Sequence, residues 1–249
     1  MAVTKDIVPR VHRLGNSVVN WYLVEGDGGL TAIDTGLPGF DKTLNSDLAT
    51  LGFELSDVKA VILTHSDGDH TGLAGTFKDA GADVWIHDDD EPKLRKPGPK
   101  SGDAKPIKLV GEMWRPSFWR IFGSMFLAGV ARPTRINDAQ TFGGDEPLDV
   151  PGRPRAIRTP GHTPGHCAFH FNDHGALFVG DAMCTLNTIT GTTGPQLVHR
   201  VFNESNADAL RSLDAIEPVD AEVVFFGHGE PWRGGVGEAV AHARVAAQG

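Results

Sequence analysis

The chain has 249 residues, of which 40% are hydrophobic and 22% charged, and its formal net charge is −9 at pH 7. These values are those of a soluble globular protein that is long enough to bury a sizeable core. The acidic balance, without any basic block, argues against nucleic acid as a partner, because phosphate binding needs a basic face. We also expect no membrane partner and a cytoplasmic location, since the sequence lacks both a secretory signal and the run of about 20 apolar residues that spans a bilayer.

The cysteine content points away from a disulfide-stabilised fold. Cys167 and Cys184 form neither a CxxC pair nor a dense framework, so we expect two reduced, partly buried thiols. A metal cofactor is compatible with the charge balance, because carboxylates and imidazoles are metal ligands.

The first part of the chain alternates β-rich runs with helical stretches. Residues 11–36 predict strands separated by turns, and the sequence GDGG at 26–29 is typical of a hairpin. Residues 40–53 have the spacing of a helix with one apolar side. That side carries Phe40, Leu44, Leu48 and Leu51.

Residues 58–65, VKAVILTH, are a nearly continuous apolar run that favours a strand buried on both faces. A short helix is predicted over 71–82 and another strand over 82–87.

After residue 140 a similar succession of elements is predicted. Strands are expected over 154–160, 166–171 and 175–182, a helix over 207–216, and a buried strand over 221–229. Two β-rich halves, each followed by helices, predict two sheets packed together with helices outside. We therefore expect an α+β fold, a four-layer αββα sandwich, in a single domain over 1–249.

An inserted aromatic segment at about 96–135 separates the two halves. It begins with a Pro/Gly-rich linker at 96–106 and continues as an apolar stretch at 111–133 that contains Arg115 and Arg120. The stretch predicts an amphipathic helix that either packs on the domain, covers the substrate as a lid or forms a dimer contact. Its aromatic residues are Trp114, Phe118, Trp119, Phe122 and Phe126.

Polar residues with metal-binding capacity follow several of the predicted strands. The sequence LTHSDGDHT at 63–71 overlaps the end of one strand, and other histidines and an aspartate follow three more. Ligand sites of α/β proteins commonly lie beyond the carboxyl ends of strands, and imidazole with carboxylate suits zinc, iron or manganese. An ordinary polar turn would explain the first stretch alone, but not all of these residues together. They are His65, Asp67, Asp69, His70, His162, Asp181 and His228.

This ordered set resembles the pattern of the metallo-β-lactamase-fold superfamily, HxHxDH followed by a distant His, an Asp and a His. The resemblance covers nearly the whole chain, from the hairpin that precedes AIDTG at 32–36 to GHGEP at 227–231. It implies the αββα fold that the strand pattern also predicts. One position departs from the family: Asp67 stands where histidine is usual, which gives an HxDxDH variant.

The resemblance implies a centre of two divalent metal ions. It assigns the first ion to His65, Asp67 and His162 and the second to Asp69, His70 and His228. Asp181 would bridge the two ions, and we expect Asp69 and Asp181 to be the catalytic carboxylates. Zinc is the expected metal, and iron or manganese is compatible with Asp67 because carboxylate is a hard ligand. The alternative for Asp67 is a lost ligand, with only the second ion bound.

The function that the resemblance implies is hydrolysis of a small ester, thioester, lactone or lactam by a metal-bound hydroxide. One alternative is a mononuclear iron oxidoreductase of the persulfide dioxygenase type, with iron on His65, His162 and Asp181. Another is a binding module with a decayed site. The complete set for a second metal favours the hydrolase. We expect a small-molecule substrate, and a homodimer through the aromatic segment is compatible with the sequence.

The remaining histidines are not expected to be metal ligands. His166 is expected to orient a ligand through a hydrogen bond. His199 is expected to lie at the surface, with the mouth of the cleft as the alternative. Cys184 is expected to be a neighbour of the site rather than a ligand. Solvated or structural roles are expected for His12, His87, His170, His174 and His242.

Overall fold

The computed structural model describes most of the chain. The described residues are 2–16, 18–104, 110–111, 113–130, 132, 134–144 and 147–248. Parts of the aromatic segment predicted at about 96–135 lie outside them, namely residues 105–109, 112, 131 and 133 and the side chain of Phe122.

The strands of the described residues form three sheets. The largest has seven strands whose spatial order equals their chain order: β1 (Ala2–Val8), β2 (Val11–Gly15), β3 (Asn20–Gly26), β4 (Gly29–Ile33), β5 (Val58–Ile62), β6 (Asp83–His87) and β7 (Gln140–Phe142). The second has four strands in the order β13 (Val223–Phe225), β10 (Ala176–Phe178), β9 (Cys167–Phe171) and β8 (Arg155–Arg158). The third pairs β11 (Cys184–Leu186) with β12 (Thr193–Gln196).

Helices cover the outer faces of the two large sheets. They are α1 (Leu44–Leu51), α2 (Ala74–Asp79), α3 (Glu91–Arg95), α4 (Pro116–Leu127), α5 (Asn206–Ile216) and α6 (Val236–Ala246). Leu48 of α1 and Phe77 of α2 belong to the apolar cluster on one side, and Leu213 of α5 and Val240 of α6 belong to the cluster on the other. These contacts bury the apolar stripe of each helix.

A third apolar cluster fills the space between the two large sheets. The ring of Tyr22 lies 5.2 Å from that of Phe178 and 5.1 Å from that of Phe225, and these two phenylalanines stack at 4.7 Å. Buried aromatic side chains at this interface supply much of the apolar area that holds sheets together. The order helix, sheet, sheet, helix confirms the predicted α+β fold with four αββα layers.

Strand directions bring the functional loops to one edge. In the first sheet β4, β5 and β6 are parallel, so the loops after them leave at the same end. In the second sheet β10 is parallel to β13, and β8 has the same direction because both β8 and β10 pair antiparallel with β9. The backbone N–H of Cys167 donates to the carbonyl of Thr64 at 2.9 Å, which joins the sheets beside these loops.

The aromatic segment contains the predicted amphipathic helix, as α4. It begins at Pro116, a residue preorganised for a first helical turn, and is shorter than the stretch 111–133. Ile121 and Met125 are buried, whereas Trp119 and Phe126 are exposed. Among the helices in the described part of the chain, none has the length and apolarity to cross a bilayer. A dimer contact on the exposed side stays a prediction.

Candidate metal centre

All seven residues predicted as metal ligands lie together at this edge. Three groups of residues could each hold a metal ion, because the ligand atoms within each group lie within 4.8 Å of one another. The groups are His65 with Asp67 and His162, His65 with His70 and Asp181, and Asp69 with His70 and His228. The loop 63–71 that follows β5 therefore supplies ligand atoms to each group.

The first group is centred on the carboxylate of Asp67. Its Oδ2 lies 3.0 Å from Nε2 of His162 and 3.5 Å from Nε2 of His65. The residue at position 67 thus points into the centre, although it is not the histidine usual in the family pattern.

The second group faces Asp69. Oδ2 of Asp69 lies 3.5 Å from Nε2 of His228 and 3.9 Å from Nε2 of His70. Asp181 lies between the groups, because its Oδ1 is 3.4 Å from Nε2 of His70 and its Oδ2 is 3.4 Å from Nε2 of His228 and 3.5 Å from Nε2 of His162. This is the position that a bridging carboxylate needs.

The four central histidines all turn Nε2 inward, because a partner outside the centre engages each Nδ1. The partners are the hydroxyl of Thr64 for His65 at 2.9 Å, the carboxylate of Asp34 for His70 at 2.8 Å, Oδ1 of Asn203 for His162 at 3.2 Å, and the carbonyl of Val18 for His228 at 2.7 Å. Each of these oxygens can accept a hydrogen bond from Nδ1–H, so the lone pair of each neutral ring lies on Nε2. Metal-binding histidines are held in this way.

Several buried atoms at the centre have no hydrogen-bond partner within the structure. They are Nε2 of His65, Nε2 of His70 and Oδ1 of Asp181. Most buried polar atoms in proteins are hydrogen-bonded, so unpartnered lone pairs directed at one point indicate a cation site. The residues present therefore fit divalent metal ions.

The charges at the centre also favour a bound cation. Burial opposes the charged form of His70, but the carboxylates of Asp181, Asp34 and Asp69 outweigh it and raise the pKa of His70 well above its ordinary value. The same balance raises the pKa of His228, where Asp181 contributes most against burial. An excess of carboxylate attracts protons in this way and would equally attract a metal cation.

Two residues around the ligands fix their orientation. Asp34, directly after β4, has a φ of +55° and accepts hydrogen bonds from the backbone N–H and the hydroxyl of Thr64 as well as from His70. His166 accepts a hydrogen bond at Nε2 from the backbone N–H of Asp181 at 3.0 Å, which confirms the role predicted for it. Burial, with His65 nearby, holds the pKa of His166 well below its ordinary value, so the ring stays a neutral acceptor.

Comparison with known proteins identifies the family. The model of the metallo-beta-lactamase superfamily matches residues 14–228. The chain belongs to the metallo-beta-lactamase superfamily. The matched range contains all seven residues of the candidate metal centre.

Individual members of the superfamily resemble the chain to different extents. The probable metallo-hydrolase YqjP of Bacillus subtilis is 28% identical over 242 residues, which cover 92% of this chain and 73% of that protein. Hydroxyacylglutathione hydrolase of Rhizobium johnstonii is 32% identical, but over 103 residues that cover 41% of this chain and 34% of that protein. A crystal structure of a metallo-beta-lactamase family protein from Thermus thermophilus has 28% identity and a TM-score of 0.70, covering 97% of this chain and 80% of that one.

In this member of the superfamily a lysine also reaches the first ligand group. Nζ of Lys100 lies 2.6 Å from Oδ2 of Asp67 and 2.7 Å from Nε2 of His162. Burial alone would raise the pKa of Asp67, but the charge of Lys100 and the contacts with the imidazoles of His162 and His65 outweigh it and hold that pKa well below the ordinary value. No sequence pattern pointed to Lys100, which lies in the Pro/Gly-rich linker.

A cavity of about 210 Å³ opens beside the ligands. Apolar side chains form most of its wall away from the centre, and they come from α4, the turn after it, β11, and the chain between β12 and α5. They are Met125, Val130, Leu186, Val198 and Phe202. His199 and Thr188 add polar groups, so His199 takes the alternative position expected for it, at the cleft.

Two other expectations about the cavity can be compared with its lining. Cys184 lines the cavity and is buried, which agrees with a thiol that neighbours the site. Among the described residues neither Cys184 nor the buried Cys167 forms a disulfide. The aromatic segment borders the cavity, but it does so through Met125 and Val130. Among the described side chains, Trp114 and Trp119 are exposed instead of forming the wall.

One further cluster with metal-ligand chemistry lies away from this centre. Asp6, His12 and Glu25 bring ligand atoms within 4.8 Å of one another. The buried ring of His12 is satisfied, because Nδ1 accepts from the backbone N–H of Asp6 at 3.2 Å and Nε2 meets Oε1 of Glu25 at 3.0 Å. We therefore assign His12 the structural role predicted from the sequence.

Proposed function

We propose that the chain is a metal-dependent hydrolase that cleaves a small ester, thioester, lactone or lactam with an uncharged, apolar acyl part. The observation that carries this proposal is the position of the apolar cavity, which opens onto the carboxylates of Asp69 and Asp181. The chain's similarity to a probable metallo-hydrolase supports the reaction class. Hydroxyacylglutathione hydrolase, by its name, acts on an acyl derivative, which supports an acyl substrate.

The lining of the cavity limits the substrate. Within the described part of the chain, neither lysine nor arginine lines it, so the wall away from the ligand groups offers no positive side chain to an anionic acyl group. At about 210 Å³ the cavity is smaller than the 300–1,000 Å³ typical of sites for drug-sized ligands. A short aliphatic or hydroxylated acyl chain fits these limits, because the lining is mostly apolar and also includes the polar side chains of His199 and Thr188.

The ligand groups define where metal ions would be held. His65, Asp67 and His162 would bind one divalent ion and Asp69, His70 and His228 a second, with Asp181 shared. Divalent ions in such a centre supply Lewis acidity, which activates a water molecule and polarises an acyl carbonyl. Zinc suits the histidines, and iron or manganese also suits a group that contains Asp67.

The protein's own groups would position the reacting molecules. Asp69 is less buried than the histidines, with 13% of its side chain exposed, and it lines the cavity, where its carboxylate could orient a reacting molecule. Asp181 is held by His166 through its backbone, which keeps its two oxygens directed at the two ligand groups. The apolar wall excludes bulk water from the acyl group. We propose Asp69 and Asp181 as the catalytic carboxylates.

Hydrolysis of a graded substrate panel tests this function. The metal-loaded protein would be assayed with acetyl, butyryl and hexanoyl esters and thioesters, with a lactone and a β-lactam, and oxygen consumption would be followed with persulfide. We expect ester or thioester hydrolysis that is lost on chelation and in Asp181→Asn, without oxygen uptake. Oxygen uptake without hydrolysis, or hydrolysis that survives both treatments, would refute the proposal.

A further inference from the structure

The ammonium of Lys100 lies within the first ligand group rather than in solvent. Its Nζ contacts Oδ2 of Asp67 at 2.6 Å and Nε2 of His162 at 2.7 Å. The third contact is with the carbonyl oxygen of Phe202 at 3.0 Å. Because an ammonium has three N–H donors and no acceptor, these three contacts satisfy it completely.

Lys100 and a metal ion would compete for the same atom of His162. The Nδ1 side of this ring is engaged by Asn203, so its lone pair lies on Nε2, and that nitrogen faces Lys100. One lone pair accepts either a hydrogen bond or a metal, and zinc would need a distance of about 2.0–2.1 Å. The ammonium must therefore leave before His162 can coordinate a metal ion.

The second ligand group has no such cation. Among the described residues, no lysine or arginine pairs with Asp69, His70 or His228, whose contacts across the group are with one another and with Asp181. Within the described residues, Nε2 of His70 has no hydrogen-bond partner. Lys100 thus pairs with the first group, whereas no lysine or arginine of the described residues pairs with the second.

Several contacts fix the chain that carries Lys100. The backbone N–H of Asp103 donates to the carbonyl of Glu204 at 2.8 Å, and the hydroxyl of Ser101 bonds to the carboxylate of Glu204. Gly102 has a φ of +66°, and a Cβ there would lie 2.0 Å from the carbonyl oxygen of Glu204, so only glycine permits this close approach. The segment 96–104 is therefore docked beside the residues that orient His162.

The presence of Lys100 also accounts for the aspartate at position 67. A carboxylate accepts charge-assisted hydrogen bonds from an ammonium, whereas a neutral histidine would offer no charge. One divalent ion and one ammonium together neutralise the three carboxylates that face the centre, those of Asp67, Asp69 and Asp181. Two divalent ions with the ammonium would leave an excess of positive charge.

We propose that Lys100 is the resident cation of the first ligand group. The chain then binds one divalent ion tightly at the second group and admits another only when the ammonium of Lys100 is displaced. This inference rests on the metal-dependent function proposed above, and it makes uptake of the two ions ordered.

Metal stoichiometry of the full-length protein tests the order directly. Metal-free wild type, Lys100→Met and Lys96→Met would be titrated with Zn²⁺ by calorimetry, and the bound metal would be counted after dialysis. Lys96→Met is the matched control, because Lys96 is an exposed lysine of the same segment. Lys100→Gln, which keeps a polar donor without the charge, provides a second variant if Lys100→Met does not fold.

The expected result is one tight equivalent in wild type and in Lys96→Met, and two in the Lys100 variants. The second equivalent should bind about ten- to a hundredfold more tightly without Lys100, the range that one hydrogen bond to a charged group is worth. Two equally tight ions in wild type, or a second ion whose affinity Lys100→Met leaves unchanged, would overturn this inference alone. No tight ion in any of the proteins would overturn the metal-dependent function together with it.

Discussion

The Nδ1 atom of His70 lies 2.8 Å from Oδ2 of Asp34, a residue 36 positions earlier in the chain. Both side chains are buried, and Asp34 has the left-handed φ of +55° that is uncommon outside glycine. The local strain at Asp34 is compensated by the bonds that its carboxylate accepts from His70 and Thr64. The pair of Asp34 and His70 therefore links the end of β4 to the candidate metal centre.

We expect Asp34→Asn to weaken metal binding about 10–100-fold, as is typical when the partner of a ligating histidine is changed. The amide keeps the shape of the side chain but removes the charge that fixes His70 with its proton on Nδ1. A chelator competition with Zn²⁺ would measure the change. Asp83→Asn, an exposed aspartate on β6, is the control and should bind as wild type does. Equal affinities in the two variants would contradict the role assigned to Asp34.

Gly227 gives a second test of how the centre is packed. A Cβ at this position would lie 2.5 Å from Cε1 of His70 and 2.7 Å from Oδ1 of Asp181. We expect Gly227→Ala to displace these ligands and to reduce hydrolysis by about a hundredfold, as misplacement of catalytic groups by about 1 Å can do.

The matched control for Gly227 is Gly237→Ala, at an exposed helical glycine whose Cβ would meet nothing within 4 Å. It should keep metal binding and gain about 0.5–1 kcal/mol in the free energy of unfolding, because alanine is the better helix residue. Unchanged hydrolysis in Gly227→Ala would show that the ligands can move aside.

Phe225 tests the packing between the sheets. Its ring stacks on that of Phe178 at 4.7 Å with an interplanar angle of 17°, and both side chains are buried. Phe225→Ala should lower the free energy of unfolding by about 3–5 kcal/mol, the usual cost of such a truncation. Leu127→Ala, at a leucine that is 88% exposed, should change it by less than about 0.5 kcal/mol. Denaturant titrations of both variants would show whether this difference exists.

The reactivity of Cys184 tests whether its thiol is buried. Burial, with the charge of Asp181 close by, raises the pKa of the Cys184 thiol well above its ordinary value. The reactive thiolate is therefore scarce at pH 8, and we expect a thiol reagent to label neither Cys184 nor the buried Cys167 in the native protein. Both should react after unfolding in guanidinium. Rapid labelling of one thiol in the native state would contradict the buried environment.

Much of the fold and of the ligand set was predictable from local patterns. His65, Asp181 and His228 each follow a run of apolar residues, and buried strands end where polar residues begin. The carboxyl ends of parallel strands lie at one edge of a sheet. The positions of these residues after successive strands were therefore sufficient to predict that they meet. The same patterns predicted the two sheets and the apolar side of α1.

Contacts that depend on docking of loops could not be predicted in this way. Lys100 meets His162 across 62 residues, and neither the linker composition nor any periodicity points to that contact. His199 likewise reaches the cavity through the fold of the chain between β12 and α5. A lid over the substrate was one of the roles expected for the aromatic segment, but an amphipathic pattern does not specify which side chain at a boundary turns inward. Met125 does so here.

Substitution of Asp67 tests whether this residue is a metal ligand or an ordinary turn residue. Its Oδ2 contacts Lys100, His162 and His65 within 3.5 Å, so both a metal ion and the ammonium depend on it. Asp67→Ala should leave the tight equivalent at Asp69, His70 and His228 unchanged but abolish binding of a second ion even at excess metal.

Asp67→His should have the opposite effect on the second ion. It replaces the charged partner of Lys100 by an imidazole, which weakens the hold on the ammonium and completes a group of three histidines. Zinc should then bind as a second equivalent more tightly than in wild type, because imidazole nitrogen suits zinc well. Asp138→Ala, at an aspartate with 70% of its side chain exposed, is the control. Metal counts after dialysis would decide the matter, and a second ion retained by Asp67→Ala would show that Asp67 is not one of its ligands.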